Sequence, residues 1–143
     1  MQIKNLTKES PRSPHEKLGG FVILARAIDK CRAEIADQVG EYEFGCELDQ
    51  YLFNFMKVDA EAFKIKVTEG ATDEDLVAFV KNTGSQKTDQ EIAKWSEDMN
   101  KMTYHGDEDG GEWFDGECLR LGLDPSETTL FQMLDEDDIK LFN

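Results

Sequence analysis

Residues that bind metals, form disulfides or contact phosphate groups are scarce in this sequence. It has three cysteines and two histidines among 143 residues. The cysteines, Cys31, Cys46 and Cys118, form no C-x-x-C pair, which predicts reduced thiols that are buried or incidental. The histidines, His15 and His105, are too far apart in the sequence for a recognisable metal motif. We therefore expect neither a metal ion nor a cofactor.

Positive charge is scarce too, with 16 lysines and arginines against 31 acidic residues. Nucleic acids and anionic membranes are bound through clustered cations, so we expect neither as a partner. The charge is unevenly spread: residues 1–40 carry seven basic and five acidic residues (+2), and residues 41–143 carry nine and 26 (−17). The basic part can meet the acidic part within one chain or across a homodimer.

Long hydrophobic runs are absent. The longest apolar stretch, residues 21–27, contains Arg26 and is far shorter than the roughly 20 residues that a helix needs to cross a bilayer. Residues 1–15 have no apolar segment of the kind found in secretory signal peptides. Together with the cysteine pattern, these absences predict a soluble, cytoplasmic protein.

Sequence motifs of common enzymes are missing as well. The chain contains no G-x-S-x-G, H-E-x-x-H, Walker or dinucleotide-binding pattern. No histidine is placed beside a thiol, and among so many acidic residues no carboxylate pair stands out for acid–base chemistry. We assign no catalytic residues, and the sequence favours a protein that is not an enzyme.

The sequence does contain a long helical pattern over residues 13–39. A capping box at Ser13 and Glu16 predicts its start, and Gly40 predicts its end. At 100° per residue its apolar side chains share one broad arc, as expected of a helix packed against a core. A double glycine at 19–20 lies in the second turn, and we interpret it as a point where another backbone approaches closely.

Two charged residues break this apolar arc. Asp29 and Arg32 project inside it at i,i+3 spacing, whereas Arg26 and Lys30 fall on the polar side. Because a buried charge needs a partner, one interpretation is an ion-pair cluster in which Arg26 and Arg32 bracket Asp29. Another is a binding site for a small anion, for which the candidate residues are Arg26, Asp29, Lys30, Arg32 and Tyr42. A third is that the helix is rotated and leaves the pair in solvent.

Helix start and stop signals recur along the rest of the chain. The predicted segments are 50–56, 60–69, 72–82, 88–104, 112–121 and 124–134. No β alternation of any length is present. We therefore predict an all-α fold, a single compact domain of six or seven helices with short loops and the long first helix at its centre. This domain spans 13–143 and follows a flexible amino-terminal segment, 1–12.

An acidic loop at 105–112 precedes the carboxy-terminal helical part. Its carboxylates and glycines invite comparison with a calcium-binding loop. Counted from Asp107, however, the fifth, sixth and twelfth positions are Gly111, Glu112 and Cys118, which breaks the EF-hand pattern. We interpret the segment as a solvated loop with no metal.

A resemblance to a known family rests on residues 11–32. This stretch contains P-R-S-P followed by L-G-G-F-x-x-L-A-R-x-x-D-K-x-R, and it resembles the signature of a bacterial family known as domain of unknown function 5069. Tyr42, G-A-T-D-E-D at 70–75 and E-I-x-x-W at 91–95 extend the resemblance over roughly residues 10–100. It implies a small bacterial helical protein and brings no activity and no catalytic residues.

Two functions of different classes stay open. The first, which we favour, is a non-catalytic interaction or regulatory module that engages another protein or a second copy of itself. It would use exposed apolar residues and the acidic carboxy-terminal third. The second is a small-molecule binding protein or enzyme whose pocket at the first helix receives a carboxylate or phosphate.

Overall fold

The computed structural model describes residues 3–143, which form seven α-helices and a single 3₁₀ turn, with no β-strand in that range. The 3₁₀ turn at Pro125–Glu127 lies between the last two helices. The helices are α1 (Leu24–Ile35), α2 (Glu47–Met56), α3 (Ala60–Thr68), α4 (Asp73–Thr83), α5 (Asp89–Lys101), α6 (Gly111–Arg120) and α7 (Leu130–Leu141). The predicted all-α fold with six or seven helices is confirmed.

The first helix is shorter than the sequence predicts. The predicted start at Ser13 is wrong, because α1 begins at Leu24 and ends at Ile35. The Ser13 hydroxyl caps no helix and instead donates a hydrogen bond to Asp135 Oδ1 at 2.8 Å. A loop that contacts the distant α7 therefore replaces the first three turns of the predicted helix.

The double glycine explains why no helix passes through this loop. Gly19 and Gly20 have φ of 61° and 88° and form a tight turn, whose flanking residues exchange backbone hydrogen bonds of 2.9 and 3.0 Å. Ile23 also has a positive φ, 73°, so the chain cannot be α-helical before Leu24. A Cβ on Gly19 would lie 2.4 Å from Val77 Cγ1. The predicted close approach is thus made by a side chain of α4 rather than by a backbone.

The central position of α1 is confirmed. Residues 24–33 are all buried, and α2 and α3 pack against the helix. Burial of apolar side chains around it supplies the main driving force for folding. The largest fully buried side chains of this core are aromatic, and they are Phe21, Phe53, Phe63, Phe114 and Phe131.

Capping boxes begin three helices. Two of them, at Thr72 and Thr88, lie where the sequence predicts helix starts. The third is at Thr129 and begins α7. The predicted start at Asp124 is wrong as a start of α7, because Asp124 caps only the 3₁₀ turn. The chain then becomes extended at Thr128, which ends that turn before α7 begins.

Two further boundaries differ from prediction. Asp49 is not the N-cap of α2, a position held by Cys46, but lies within the helix and is fully buried. Helix α7 continues through the acidic run at 135–138 to Leu141 instead of ending at Leu134. In both places the aspartate concerned pairs with a cationic side chain of α1, as described below.

The amino-terminal segment is packed along part of its length. Its first two residues lie outside the described range. Leu6 is 1% exposed, and its amide donates to the Gln38 carbonyl at 2.9 Å. Arg12 reaches α1 and α4, as described below. The flexibility of the segment and the domain boundary after residue 12 stay predictions.

The acidic loop before α6 is exposed from residue 105 to residue 110. His105 Nδ1 lies 2.8 Å from Asp115 Oδ1, across the first turns of α6. Of the helices in the described range, none combines the length and the apolar character needed to span a membrane.

Candidate functional site

Four charged side chains of α1 lie inside the protein. Arg26, Asp29, Lys30 and Arg32 are only 3%, 5%, 2% and 7% exposed. The prediction that Arg26 and Lys30 face solvent is therefore wrong. Charges so deeply buried must be neutralised by partners, since an unpaired buried charge costs several kcal/mol. The partners divide the four residues into three clusters.

The first cluster joins α1 to α7 through Arg26. Its Nη1 and Nη2 donate to the two carboxylate oxygens of Asp138 at 2.8 and 3.1 Å. Tyr42 Oη donates to Asp138 Oδ1 at 2.8 Å, and the guanidinium lies 5.4 Å from the centre of the Tyr42 ring. Burial opposes the charge on Arg26, but the carboxylate outweighs it and the pKa of the guanidinium is raised. Burial and the same carboxylate raise the pKa of the Tyr42 phenol.

The second cluster joins the amino-terminal segment, α1 and α4. Arg12 Nη2 donates to Asp29 Oδ1 at 3.0 Å, and Arg12 Nη1 donates to Asp73 Oδ2 at 2.9 Å. Arg32 Nη1 lies 3.0 Å from Asp73 Oδ1, and its Nη2 donates to the Ala71 carbonyl at 3.2 Å. Partial burial would raise the pKa of Asp73, but the two arginines lower it. One carboxylate thus bridges two guanidinium groups.

The third cluster joins α1 to α2 through Lys30. Its Nζ lies 3.0 Å from Asp49 Oδ1 and donates a hydrogen bond to Cys46 Sγ at 3.3 Å. Asp49 Oδ2 accepts from the Gly45 amide at 2.8 Å. With the Lys30 and Asp49 side chains 3% and 0% exposed, this is the most deeply buried ion pair among the described residues.

The candidate residues therefore do not form one site. Arg26 and Tyr42 meet at Asp138, Asp29 and Arg32 share the second cluster, and Lys30 lies in the third. The predicted arrangement in which Arg26 and Arg32 bracket Asp29 is wrong. Asp29 pairs with Arg12 in place of these two arginines, because the loop before α1 folds back along the helix.

Sequence reasoning missed the four residues that complete these clusters. Asp49 was missed because its position before an apolar helical pattern suited an N-cap. Asp138 was missed because it is one of four consecutive acidic residues, and nothing distinguished it from the other three. Arg12 and Asp73 each lie in a segment on which the family resemblance rests, P-R-S-P and G-A-T-D-E-D. The structure brings these two segments together through the Arg12–Asp73 ion pair.

A cleft of about 590 Å³ opens beside the second cluster. Its polar walls come from the amino-terminal segment, α1 and the start of α4. Arg32 contributes to the wall, and its Nε is buried without a hydrogen-bond partner. The lining residues are Ile3, Lys4, Glu9, Arg12, Asp29, Arg32, Thr72, Asp73 and Glu74.

A family model described as Domain of unknown function (DUF5069) matches residues 8–140. The chain belongs to this family. The match extends well beyond the roughly 90 residues over which the resemblance was apparent, and it includes the carboxy-terminal third. No curated protein matches the chain. The bacterial source and cytoplasmic location stay predictions.

The DUF5069 domain has a second feature of note at its carboxy-terminal end. Here α6 and α7 pack together, and Lys140 Nζ donates to the Arg120 carbonyl at 3.2 Å. Four large apolar side chains of these two helices are exposed. We call the following four residues the carboxy-terminal surface: Trp113 (54% exposed), Leu119 (68%), Ile139 (54%) and Leu141 (43%).

No group of three or more histidine, cysteine, aspartate or glutamate side chains within residues 3–143 of the DUF5069 domain is arranged to hold a metal ion. Its three cysteines are free thiols. Cys31 and Cys118 are completely buried, and burial raises the pKa of Cys31 to about 12 and also raises that of Cys118. Cys46 is partly exposed.

Proposed function

We propose that this protein is a non-catalytic interaction module that binds another protein through its carboxy-terminal surface. The observation that carries this proposal is the exposure of Trp113, Leu119, Ile139 and Leu141. Among the described residues, seven large apolar side chains are exposed, and four of them lie in α6 and α7. Exposed apolar side chains grouped on one part of a folded domain are typical of protein-binding sites.

Three of these residues lie beside a contact between α6 and α7. Leu119 precedes Arg120 in the sequence, and Ile139 and Leu141 flank Lys140. Because Lys140 contacts the Arg120 carbonyl directly, these three apolar residues are sequence neighbours of the two residues that join the helices. Trp113 lies on the first turn of α6 and packs near Tyr104, with 6.4 Å between ring centres.

Charge indicates the kind of partner. Residues 111–143 contain nine acidic and two basic residues, a net charge of −7. A second copy of the chain would place this acidic region against itself, which opposes association. A partner with apolar anchor residues framed by lysines and arginines would be attracted instead, so we favour such a partner over a homodimer.

The buried charges support the non-catalytic part of the proposal. Arg26, Asp29, Lys30 and Arg32 each have an oppositely charged partner within about 3 Å, contributed by the protein itself. Groups held in this way stabilise the arrangement of helices. They are therefore best explained as structural.

The test uses a synthetic amphipathic helical peptide made of leucine and lysine, with binding followed by the fluorescence of Trp113. The substitution Trp95→Phe removes the other tryptophan and keeps an aromatic ring against Phe55. We expect saturable binding that weakens as salt is added. Leu119→Asp and Ile139→Asp should each reduce the affinity at least several-fold, because they place a charge in the apolar contact.

Ile65→Asp is the matched control, since Ile65 is similarly exposed (59%) but lies on α3. It should leave the affinity unchanged. Equal binding by all variants, or equal binding of a leucine–glutamate peptide, would contradict the proposal. Sedimentation equilibrium distinguishes a homodimer from binding to a different protein. A dimer that Leu119→Asp dissociates would mean that the surface serves self-association and not a basic partner.

A second candidate function is binding of a small anion in the cleft, favoured by the unpartnered Nε of Arg32. Of the residues predicted for such a site, Asp29 and Arg32 line the cleft, whereas Arg26, Lys30 and Tyr42 lie elsewhere. Thermal unfolding with added phosphate or succinate is the test. Stabilisation that Arg32→Lys removes and Arg120→Lys retains would support this function, and no stabilisation of the wild type would exclude both anions as ligands.

A further inference from the structure

The cluster of Cys46, Lys30 and Asp49 joins a reactive sulfur to an amine inside the protein. Lys30 Nζ and Cys46 Sγ are 3.3 Å apart and in direct hydrogen-bond contact. The Lys30 side chain is 3% exposed, and its Nζ lies 3.0 Å from Asp49 Oδ1. The amine therefore has no room to move away into solvent, and its nearest sulfur is fixed.

The position of Cys46 is equally well defined. It is the N-cap residue of α2, with φ −66° and ψ 176°. The preceding Gly45 amide donates to Asp49 Oδ2 at 2.8 Å, and Gln50 Nε2 donates to the Gly45 carbonyl at 3.2 Å. These bonds hold the backbone next to Cys46, and the residue is partly exposed.

We propose that Cys46 and Lys30 form an oxidative modification site, in which hydrogen peroxide converts their contact into a covalent sulfur–nitrogen bond. The inference is independent of the function proposed above. It rests on the contact between the two side chains, the hydrogen bonds around them, and the partial exposure of Cys46. Cys31 and Cys118 differ because they are completely buried and held as thiols.

The chemistry proceeds in two balanced steps. In the first, the Cys46 sulfur attacks one peroxide oxygen, the O–O bond breaks, and the departing hydroxide takes the thiol proton, so that the products are a sulfenic acid and water. In the second, Lys30 gives its extra proton to Asp49, and its neutral Nζ attacks the sulfur. The S–O bond then breaks, and the departing hydroxide takes a proton from the attacking nitrogen to leave as water.

Overall, one thiol, one amine and one hydrogen peroxide give one S–N bond and two waters. Sulfenic acids are known to condense with nitrogen in this way when a nitrogen is close enough. Bond formation removes the charge of Lys30 and leaves Asp49 protonated, so the buried ion pair between α1 and α2 is replaced by a covalent link. A thiol reductant reverses the link by attacking the sulfur.

The test treats the purified full chain with hydrogen peroxide and maps its peptides by mass spectrometry without reduction. We expect a cross-linked species containing Cys46 and Lys30 whose mass equals the two peptides minus two hydrogens, and dithiothreitol should remove it. Cys46→Ser should abolish the species, while Cys118→Ser should retain it.

Lys30→Arg is the decisive variant, because it keeps the charge beside Asp49 and lacks the nucleophilic amine; circular dichroism checks that it folds. Its Cys46 sulfenic acid should accumulate and be labelled by dimedone several-fold more than in the wild type. Equal dimedone labelling of both proteins would overturn the proposal. So would oxidation that occurs first at Cys31 or Cys118, or a disulfide from Cys46 in place of the S–N bond.

Discussion

Helices α1 and α5 both carry acidic and basic residues, but in opposite settings. Both are about three turns long, with 12 and 13 residues. Four of the five charged residues of α1 are buried and paired with partners on other segments, whereas α5 pairs Lys94 with Asp98 and Lys101 with Glu97 along its own surface. The side chains of those α5 pairs are between 58% and 71% exposed.

The difference shows that burial, and not the number of ion pairs, decides what a pair contributes. An exposed pair exchanges hydration for a weak, screened attraction and contributes little. A buried pair offsets a large desolvation cost only while both partners are present, so loss of one partner leaves an uncompensated charge. The ion pairs of α1 therefore fix the relative positions of helices, and those of α5 do not.

The largest expected effect comes from Asp49→Ala, which leaves Lys30 buried without its anion. We expect the free energy of unfolding to fall by about 3–5 kcal/mol, the usual cost of breaking a buried pair. Urea denaturation measures it. The double variant Lys30→Met with Asp49→Leu should recover most of the loss, because no buried charge remains. A double variant as unstable as the single one would show that shape, and not charge, is responsible.

A smaller effect is expected from Tyr42→Phe, which removes one hydrogen bond to Asp138 and keeps the ring beside Arg26. The expected loss is about 1–2 kcal/mol, toward the lower end for a hydrogen bond to a charged group, because Tyr42 is only partly buried. The same denaturation experiment measures it, with the partly exposed Tyr51→Phe for comparison. In the wild type, the phenol of Tyr42 should ionise only above the usual tyrosine pKa, as followed by tyrosinate absorbance.

Acid should weaken the second cluster through Asp73, whose pKa is lowered in the folded chain. In the unfolded chain the pKa of an aspartate is about 3.9. Below that pH, Asp73 binds a proton more readily in the unfolded chain than in the folded chain. The stabilisation is therefore complete above about pH 4 and lost as the pH falls through the lower folded pKa. We expect the unfolding free energy of Asp73→Asn to fall less than that of the wild type on acidification. If the unfolding free energies of the variant and the wild type fall equally, other carboxylates are responsible for the acid sensitivity.

The smallest effect is expected at the surface. Lys94→Ala removes the Lys94–Asp98 pair on α5 and places a better helix former in the same helix. Its thermal midpoint should be indistinguishable from that of the wild type. A loss comparable to that of Asp49→Ala would overturn the comparison between the two helices.

Much of the fold could be predicted from local sequence signals. The capping boxes at Thr72 and Thr88 identify α4 and α5 because side-chain caps act within one turn of helix. The stop at Gly70 follows α3 for a similarly local reason. The early start of the first helix was wrong because the capping residues at 13 and 16 could not be weighed against the positive φ of Ile23, which tertiary packing imposes.

The candidate site was predictable only in part. The misplaced charges of Asp29 and Arg32 correctly marked α1 as a buried, charged helix. The partners of the four buried charges of α1 could not be identified, because Arg12, Asp49, Asp73 and Asp138 come from four different segments. The polar face assigned to Arg26 was wrong since a helical wheel has no information about α7, which supplies the anion for this side chain.

The pairing of Arg26 with Asp138 also constrains the order in which the domain can fold. The two residues are separated by 112 positions, so a ribosome makes the arginine long before its partner. Until residue 138 has emerged, burying this side of α1 would enclose an unpaired charge. The central helix α1 is therefore synthesised early, but the side that carries Arg26 is buried late. In the nascent domain, this side stays in contact with water until α7 has been synthesised.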